Sequence, residues 1–246
     1  MHKRLIIICL AVIFFLSCSQ EEADNTSKKY YADSVAAAIA ASAEEPATSN
    51  MIFNPDSIVQ IDFSEAIKEE KIQYSLMGEG NSTSLQIKIK STVNFSLEIE
   101  IKAGTYFKPQ NANIQRMVVI KKTEINLKPK AEIELEIEVS CMDIEKDVPS
   151  KSSVDWSINF SEDLKQLIKC IDSGIDEAKA MDKNIASMLE QSRQLIKQLA
   201  IWRKEGATNE EFVEFYIKYQ ELDEEEARSL VNSLIPIVDE LLKECP

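Results

Sequence analysis

Residues 85–101, LQIKIKSTVNFSLEIEI, and residues 132–139, EIELEIEV, set the reading of the chain. Leu85, Ile87 and Ile89 alternate with polar residues, as do Val93, Phe95, Leu97, Ile99 and Ile101, and then Ile133, Leu135, Ile137 and Val139. A period of 2 marks antiparallel strands with one face on a core and one in water. The outer faces carry Lys88, Lys90, Glu98 and Glu100, then Glu132, Glu134, Glu136 and Glu138. Lys and Glu side chains facing one another across strands add only about a few tenths of a kcal/mol each. The glutamate row reads as a solvated face, not a metal site. Turn signals at residues 78–81 (GEGN), 103–104 (AG), 109–113 (PQNAN) and 128–130 (KPK) divide the region into seven or so strands. That spacing predicts an immunoglobulin-like sandwich over residues 51–160.

Beyond Trp156-Ser157-Ile158-Asn159-Phe160 the apolar period becomes 3.6. Ser161 is an N-cap, with Glu162 and Asp163 in the first turn and Leu164, Leu167, Ile168 and Ile171 as one stripe. Ser173 with Asp176 reads as a weak capping box that restarts the helix, and Gly206 as a C-terminal cap. Thr208 with Glu211, and Asp223 with Glu226, open two further helices, and Pro236 is expected to kink or split the last. Residues 161–246 therefore read as a small bundle of four helical segments, making the chain α+β. Phe212, Phe215, Tyr216 and Tyr219 are its most aromatic candidates for a partner surface.

Composition narrows the chemistry. Of 246 residues one is histidine, His2, and five are glycine. A Ser-His-Asp triad, a His-ligated metal, a GxGxxG turn and a Gly-rich phosphate loop each need residues the chain lacks. No catalytic residue, cofactor or metal is expected. Glycosidases need only two carboxylates, but among 42 acidic residues no pair stands out.

His2, Lys3 and Arg4 precede an apolar run from Leu5 to Leu16, followed by Ser17-Cys18. A run that short falls below the ~20 residues needed to cross a bilayer and reads as the core of a signal peptide. Residues 1–17 resemble a bacterial lipoprotein signal, which implies that Cys18 carries acyl chains such as palmitate and becomes the mature N-terminus. Phe15 and Leu16 depart from the commonest lipobox. Removal of residues 1–17 takes Lys3 and Arg4 and no acid, leaving 26 basic against 42 acidic residues and a formal charge of −16. Such a surface repels nucleic acid and anionic headgroups. Residues 18–50, rich in Ala, Ser and Glu, read as the lipidated cysteine and a tether of roughly 30 Å. Glu21 and Glu22 resemble the surface-export signal of Bacteroidota lipoproteins, and Asp33-Ser34-Val35 and Asp56-Ser57-Ile58 resemble an O-glycosylation motif of that phylum. The expectation is a non-enzymatic binding or adhesion module, lipid-anchored at the outer membrane on its periplasmic face or the cell surface, with a protein or glycan partner in the envelope or on a host.

In the mature chain Cys141, Cys170 and Cys245 remain, in an oxidising compartment. One disulfide and one spare thiol are expected, with the pairing left open. Gln198-Leu199-Ala200-Ile201-Trp202 resembles the Gln-x-Ala-Ile-Trp core of the thioester domains of bacterial surface adhesins. Cys141-Met142-Asp143 is similar to the end of their cysteine motif. Residues 103–107 (AGTYF), 117–119 (MVV) and Cys141 with residues 146–150 (KDVPS) also resemble a poorly characterised family of exported sandwich domains. The resemblance implies Cys141 as thioester sulfur, Gln198 as acyl donor and a host lysine amine as acceptor. Ser140 stands where the adhesins carry an aromatic residue, Lys197 where they carry Thr, and the Cys-to-Gln separation of 57 residues is far shorter.

Overall fold

The alternating stretches build two sheets. In the computed structural model, which describes residues 58–150 and 155–245, the strands are β1 (Ile58–Asp62), β2 (Ile72–Gly78), β3 (Ser84–Ser91), β4 (Ser96–Ile101), β5 (Thr105–Pro109), β6 (Met117–Val119), β7 (Thr123–Leu127), β8 (Glu132–Cys141) and β9 (Trp156–Phe160). Cys18, the tether and the signal segment lie outside the described residues. The larger sheet has the order β2-β3-β8-β6-β5-β9, and the smaller the order β1-β4-β7. Leu85, Ile87, Ile89, Ile137 and Val139 are buried on the inner face of the larger sheet, and Leu97, Ile99, Ile101, Ile125 and Leu127 on that of the smaller.

The outer face of the larger sheet is the charged one expected. Lys88 lies opposite Glu134 and Lys90 opposite Glu132, and the Lys88 ammonium reaches Glu132 diagonally at 2.6 Å. All four glutamates of β8 are exposed to solvent.

Two details of the sheets differ from the sequence reading. Val93 and Phe95 fall in a bend, because the chain turns from β3 into β4 there and β4 begins only at Ser96. The sheets are not antiparallel throughout, since β1 runs parallel to β4. That pairing is open to it because β1 leads through a short helix, α1 (Phe63–Lys68), into β2 of the other sheet and has no hairpin to β4. Asp62 caps α1, its carboxylate accepting from the Ser64 N–H at 2.9 Å.

β9 ends at Phe160, and Ser161 caps α2 (Glu162–Met181) by accepting from the Leu164 N–H. Then follow α3 (Lys183–Gln191), α4 (Arg193–Lys204), α5 (Asn209–Gln220) and α6 (Glu224–Glu244). The expected restart at Ser173 does not occur. α2 continues through it, and the break comes at Asp182, whose side chain accepts from the Asn184 N–H. This makes five helices where four were expected. Both capping boxes form, at Thr208/Glu211 and Asp223/Glu226. Pro236 does not split α6; its ring is exposed and the helix runs past it. Gly174 has a packing reason: a Cβ there would lie 2.4 Å from the Leu241 side chain, so its absence lets α2 and α6 close on each other. Among the described residues no helix is long and apolar enough to cross a membrane.

Candidate functional site

The last residues of β8 meet α4. On one side β6 pairs with β8 to its end, with Met117 opposite Cys141 and the Met142 N–H donating to the Arg116 carbonyl at 2.9 Å. On the other side β3 begins only at Ser84, and its last support is the Val139 N–H donating to the Thr83 carbonyl at 3.0 Å. Backbone groups alternate along a strand, so the N–H and C=O of Cys141 point to the side β3 has not yet reached. Both are buried and need partners. Gln198 of α4 supplies them: the Cys141 N–H donates to Oε1 at 2.8 Å, and Nε2 donates to the Cys141 carbonyl at 2.6 Å. The carboxamide, chemically a peptide group, stands in for one residue of the missing strand.

The two thioester candidates, 57 residues apart, are thus brought together, but through the backbone of Cys141. The thiol is sealed, with no exposed surface, and its Sγ lies 3.4 Å from Met117 Sδ. Burial, and secondarily the negative charge of Asp143, push the thiol well above its usual range. A protonated thiol is a poor nucleophile. For Asp143, burial acts to raise the carboxyl, but Arg116 outweighs it through its guanidinium and backbone N–H and holds it below the usual carboxylate range. Next to Gln198, Lys197 is almost fully buried and donates to the Ile120 carbonyl at 3.1 Å and Asp172 at 2.8 Å, tying α4 to the residue that follows β6 and to α2.

The cysteine pairing left open by the sequence is Cys170–Cys245, joining α2 to the end of α6, and Cys141 is free. Of the aromatic partner candidates, Phe212, Phe215 and Tyr216 are buried, the first two packing on Trp202 and Tyr216 on Phe215, and only Tyr219 is partly exposed. They fail as an exposed patch because the apolar face of α5 is needed to cover α4 and α6. Tyr219 is engaged as well, its hydroxyl donating to Asp147 at 2.8 Å. Among the described residues no group of three His, Cys, Asp or Glu is placed to hold a metal ion.

Beside Gln198 a cleft of about 280 Å³ opens between the β2–β3 turn, α4, α5 and the start of α6. Ser82, Thr83, Gln191, Gln194, Gln198 and Gln220 give it hydrogen-bonding walls, and Trp202, Phe215, Tyr216 and three leucines give it apolar ones. Two of these side chains have unmet needs: the Trp202 indole N–H and the Tyr216 hydroxyl are buried with no hydrogen-bond partner. The sequence reading missed this cleft. Its one visible trace is the helical spacing of Gln191, Gln194 and Gln198 beside the leucine stripe. No protein family, curated protein or solved structure matches the chain.

Proposed function

We propose that the chain is a lipid-anchored protein of the bacterial envelope, held through Cys18 and acting as a non-enzymatic binding module. The observation that carries this reading is the Cys170–Cys245 disulfide, which suits an oxidising, exported compartment and fastens the end of the chain to the first long helix. A protein or glycan partner on the envelope or a host surface is recognised by the folded body, and the acyl chains supply the membrane attachment. The two sheets fit an immunoglobulin-like sandwich in which the parallel β1–β4 pair and the absence of a described inter-sheet disulfide are departures. Fatty-acid labelling that disappears on Cys18→Ser, with protease shaving of intact cells, tests anchoring and exposure. Label that persists on Cys18→Ser, or protein recovered from the cytosol, refutes it.

A second reading, covalent attachment through Cys141 and Gln198, is favoured by their juxtaposition. The Cys141 thiol would add to Gln198 Cδ, lose its proton and expel the amide nitrogen as ammonia. A lysine amine of the target would then displace the thiolate, leaving an amide bond. The Cys141 N–H, already 2.8 Å from Oε1, would stabilise the oxyanion of both steps. Intact mass separates the readings: a thioester is lighter by one ammonia and takes up methylamine, and neither occurs if Gln198 remains a carboxamide.

A further inference from the structure

The cleft beside Gln198 has a chemistry unlike the rest of the surface. The chain is 28% charged, yet none of the twelve residues lining this cleft is. The clefts around Lys102, Arg116 and Asp143 all carry charged side chains. A neutral lining in so charged a chain selects against ions, so the ligand that fits is uncharged. The polar groups define it further. The Trp202 N–H can only donate and the Tyr216 hydroxyl can donate and accept, and both are buried without partners. Neither atom is reached by solvent, so both lie behind the wall, and the polar groups that a ligand meets are the carboxamides. Gln198 spends one N–H and one lone pair on Cys141, which leaves one of each. Gln191 and Gln220 at the rim are exposed and add free amides.

We infer that this cleft is a recognition site for an uncharged sugar residue. Ring hydroxyls both donate and accept, which matches a wall of carboxamides. The apolar face of a pyranose matches the part-exposed side chains of Leu195, Leu222 and Leu230. A volume of about 280 Å³ lies just below the range of ~300–1,000 Å³ for drug-sized ligands and suits one ring, not an extended peptide. A peptide would also seek an open strand edge, and the open edge of β8 here is already occupied by Gln198. The inference rests on the binding-module reading and deepens it by naming the ligand class and the site.

The chain has two tryptophans, so Trp156→Phe leaves Trp202 as the sole indole reporter. Methyl glycosides of glucose, galactose, mannose and N-acetylglucosamine are titrated against that variant, with fluorescence and saturation-transfer NMR as readouts. At least one is expected to give a saturable response. Gln191→Ala and Gln220→Ala each remove one exposed rim amide and so keep the fold. Each is expected to weaken binding about fivefold to tenfold, the loss of one hydrogen bond. Absence of a saturable response to all four sugars overturns the inference, as does a response to N-acetyl-glycine-methylamide in their place or one unchanged by both variants. Retention of the intact protein on isolated envelope glycans or cell surfaces, undiminished by Gln191→Ala and Gln220→Ala, would leave the binding module standing and remove this site. Loss of all retention in the unaltered protein would remove the module itself.

Discussion

Replacing Gln198 tests how much of the sheet–helix junction depends on one side chain. Gln198→Leu keeps the volume of the buried residue and deletes both bonds to Cys141, made at 2.8 and 2.6 Å. Cys141 has no exposed surface and Gln198 only 3%. Its backbone N–H and C=O would be left without partners, at about 1–3 kcal/mol each. Entry of water from the adjoining cleft relieves part of this, so a loss of about 3 kcal/mol is expected in urea unfolding with the m-value unchanged. Gln198→Glu gives a signature that simple loss of packing does not. When protonated, the introduced carboxyl donates to the Cys141 carbonyl and accepts from its N–H; when ionised, it sets a charge against that carbonyl in a buried site. Its folded pKa is therefore raised above the unfolded value of ~4.3. The stability it contributes is present below that value and lost as pH rises through the folded pKa. Measured against the unaltered protein at each pH, Gln198→Glu should be nearly neutral at about pH 4 and strongly destabilised at about pH 7. A cost for Gln198→Leu below about 1 kcal/mol, or no pH dependence for Gln198→Glu, would show that the carboxamide does not support β8.

Removing the disulfide with Cys170→Ala and Cys245→Ala frees a loop spanning a sequence separation of 75, for which the chain-entropy model gives about 4.5 kcal/mol at 25 °C. Denaturant unfolding with and without reductant checks it, and a change under about 1 kcal/mol would contradict it. Asp143→Asn removes a carboxylate that is held ionised by Arg116. Because its folded pKa is depressed, the stability it contributes exists above the unfolded value near 3.9 and is lost as pH falls through the folded value, so the substitution should destabilise at pH 7 and make little difference at about pH 2. Thr208→Ala breaks the capping box of α5 and should cost about 1 kcal/mol with a loss of protection confined to the first turn by hydrogen exchange.

The two-sheet core was legible because its signal is repeated: Leu85, Ile87, Ile89, Ile137 and Val139 alternate in sequence and are buried in space. Helix starts were legible where a side chain caps the backbone, as at Ser161, Thr208 and Asp223, since the cap depends on residues three positions apart. β1 and α1 were not. Five and six residues are too few to show a period, and β1 finds its partner 38 positions away in β4. The break at Asp182 was hidden because the apolar stripe runs on from Ile175 to Ile185 and Leu189 across it. Of the site, the Cys141–Gln198 proximity could be reached only through resemblance, because nothing local links a strand end to a helix. Its geometry, an amide bonded to backbone and not aimed at the thiol, follows from where β3 begins. The same holds for Phe212, Phe215 and Tyr216, whose pattern gives an aromatic face but not which neighbour covers it.

The two roles open to Gln198 compete for the same atoms. In forming a thioester, its carbonyl oxygen stays and continues to accept from the Cys141 N–H, while its nitrogen leaves as ammonia. The bond from Nε2 to the Cys141 carbonyl is therefore lost, and a buried acceptor is stranded at about 1–3 kcal/mol. The sulfur must also turn away from Met117 and shed a proton that burial and Asp143 both hold in place. Each of these terms favours the carboxamide, and the first arises from β3 beginning too late to cover Cys141. A chain that used the thioester would need another donor at the Cys141 carbonyl. Among the described residues the donor at that carbonyl is the amide that the reaction would remove, which favours a structural role for Gln198, and the uncommitted chemistry lies one step outward, in the neutral cleft that Gln198 helps to line.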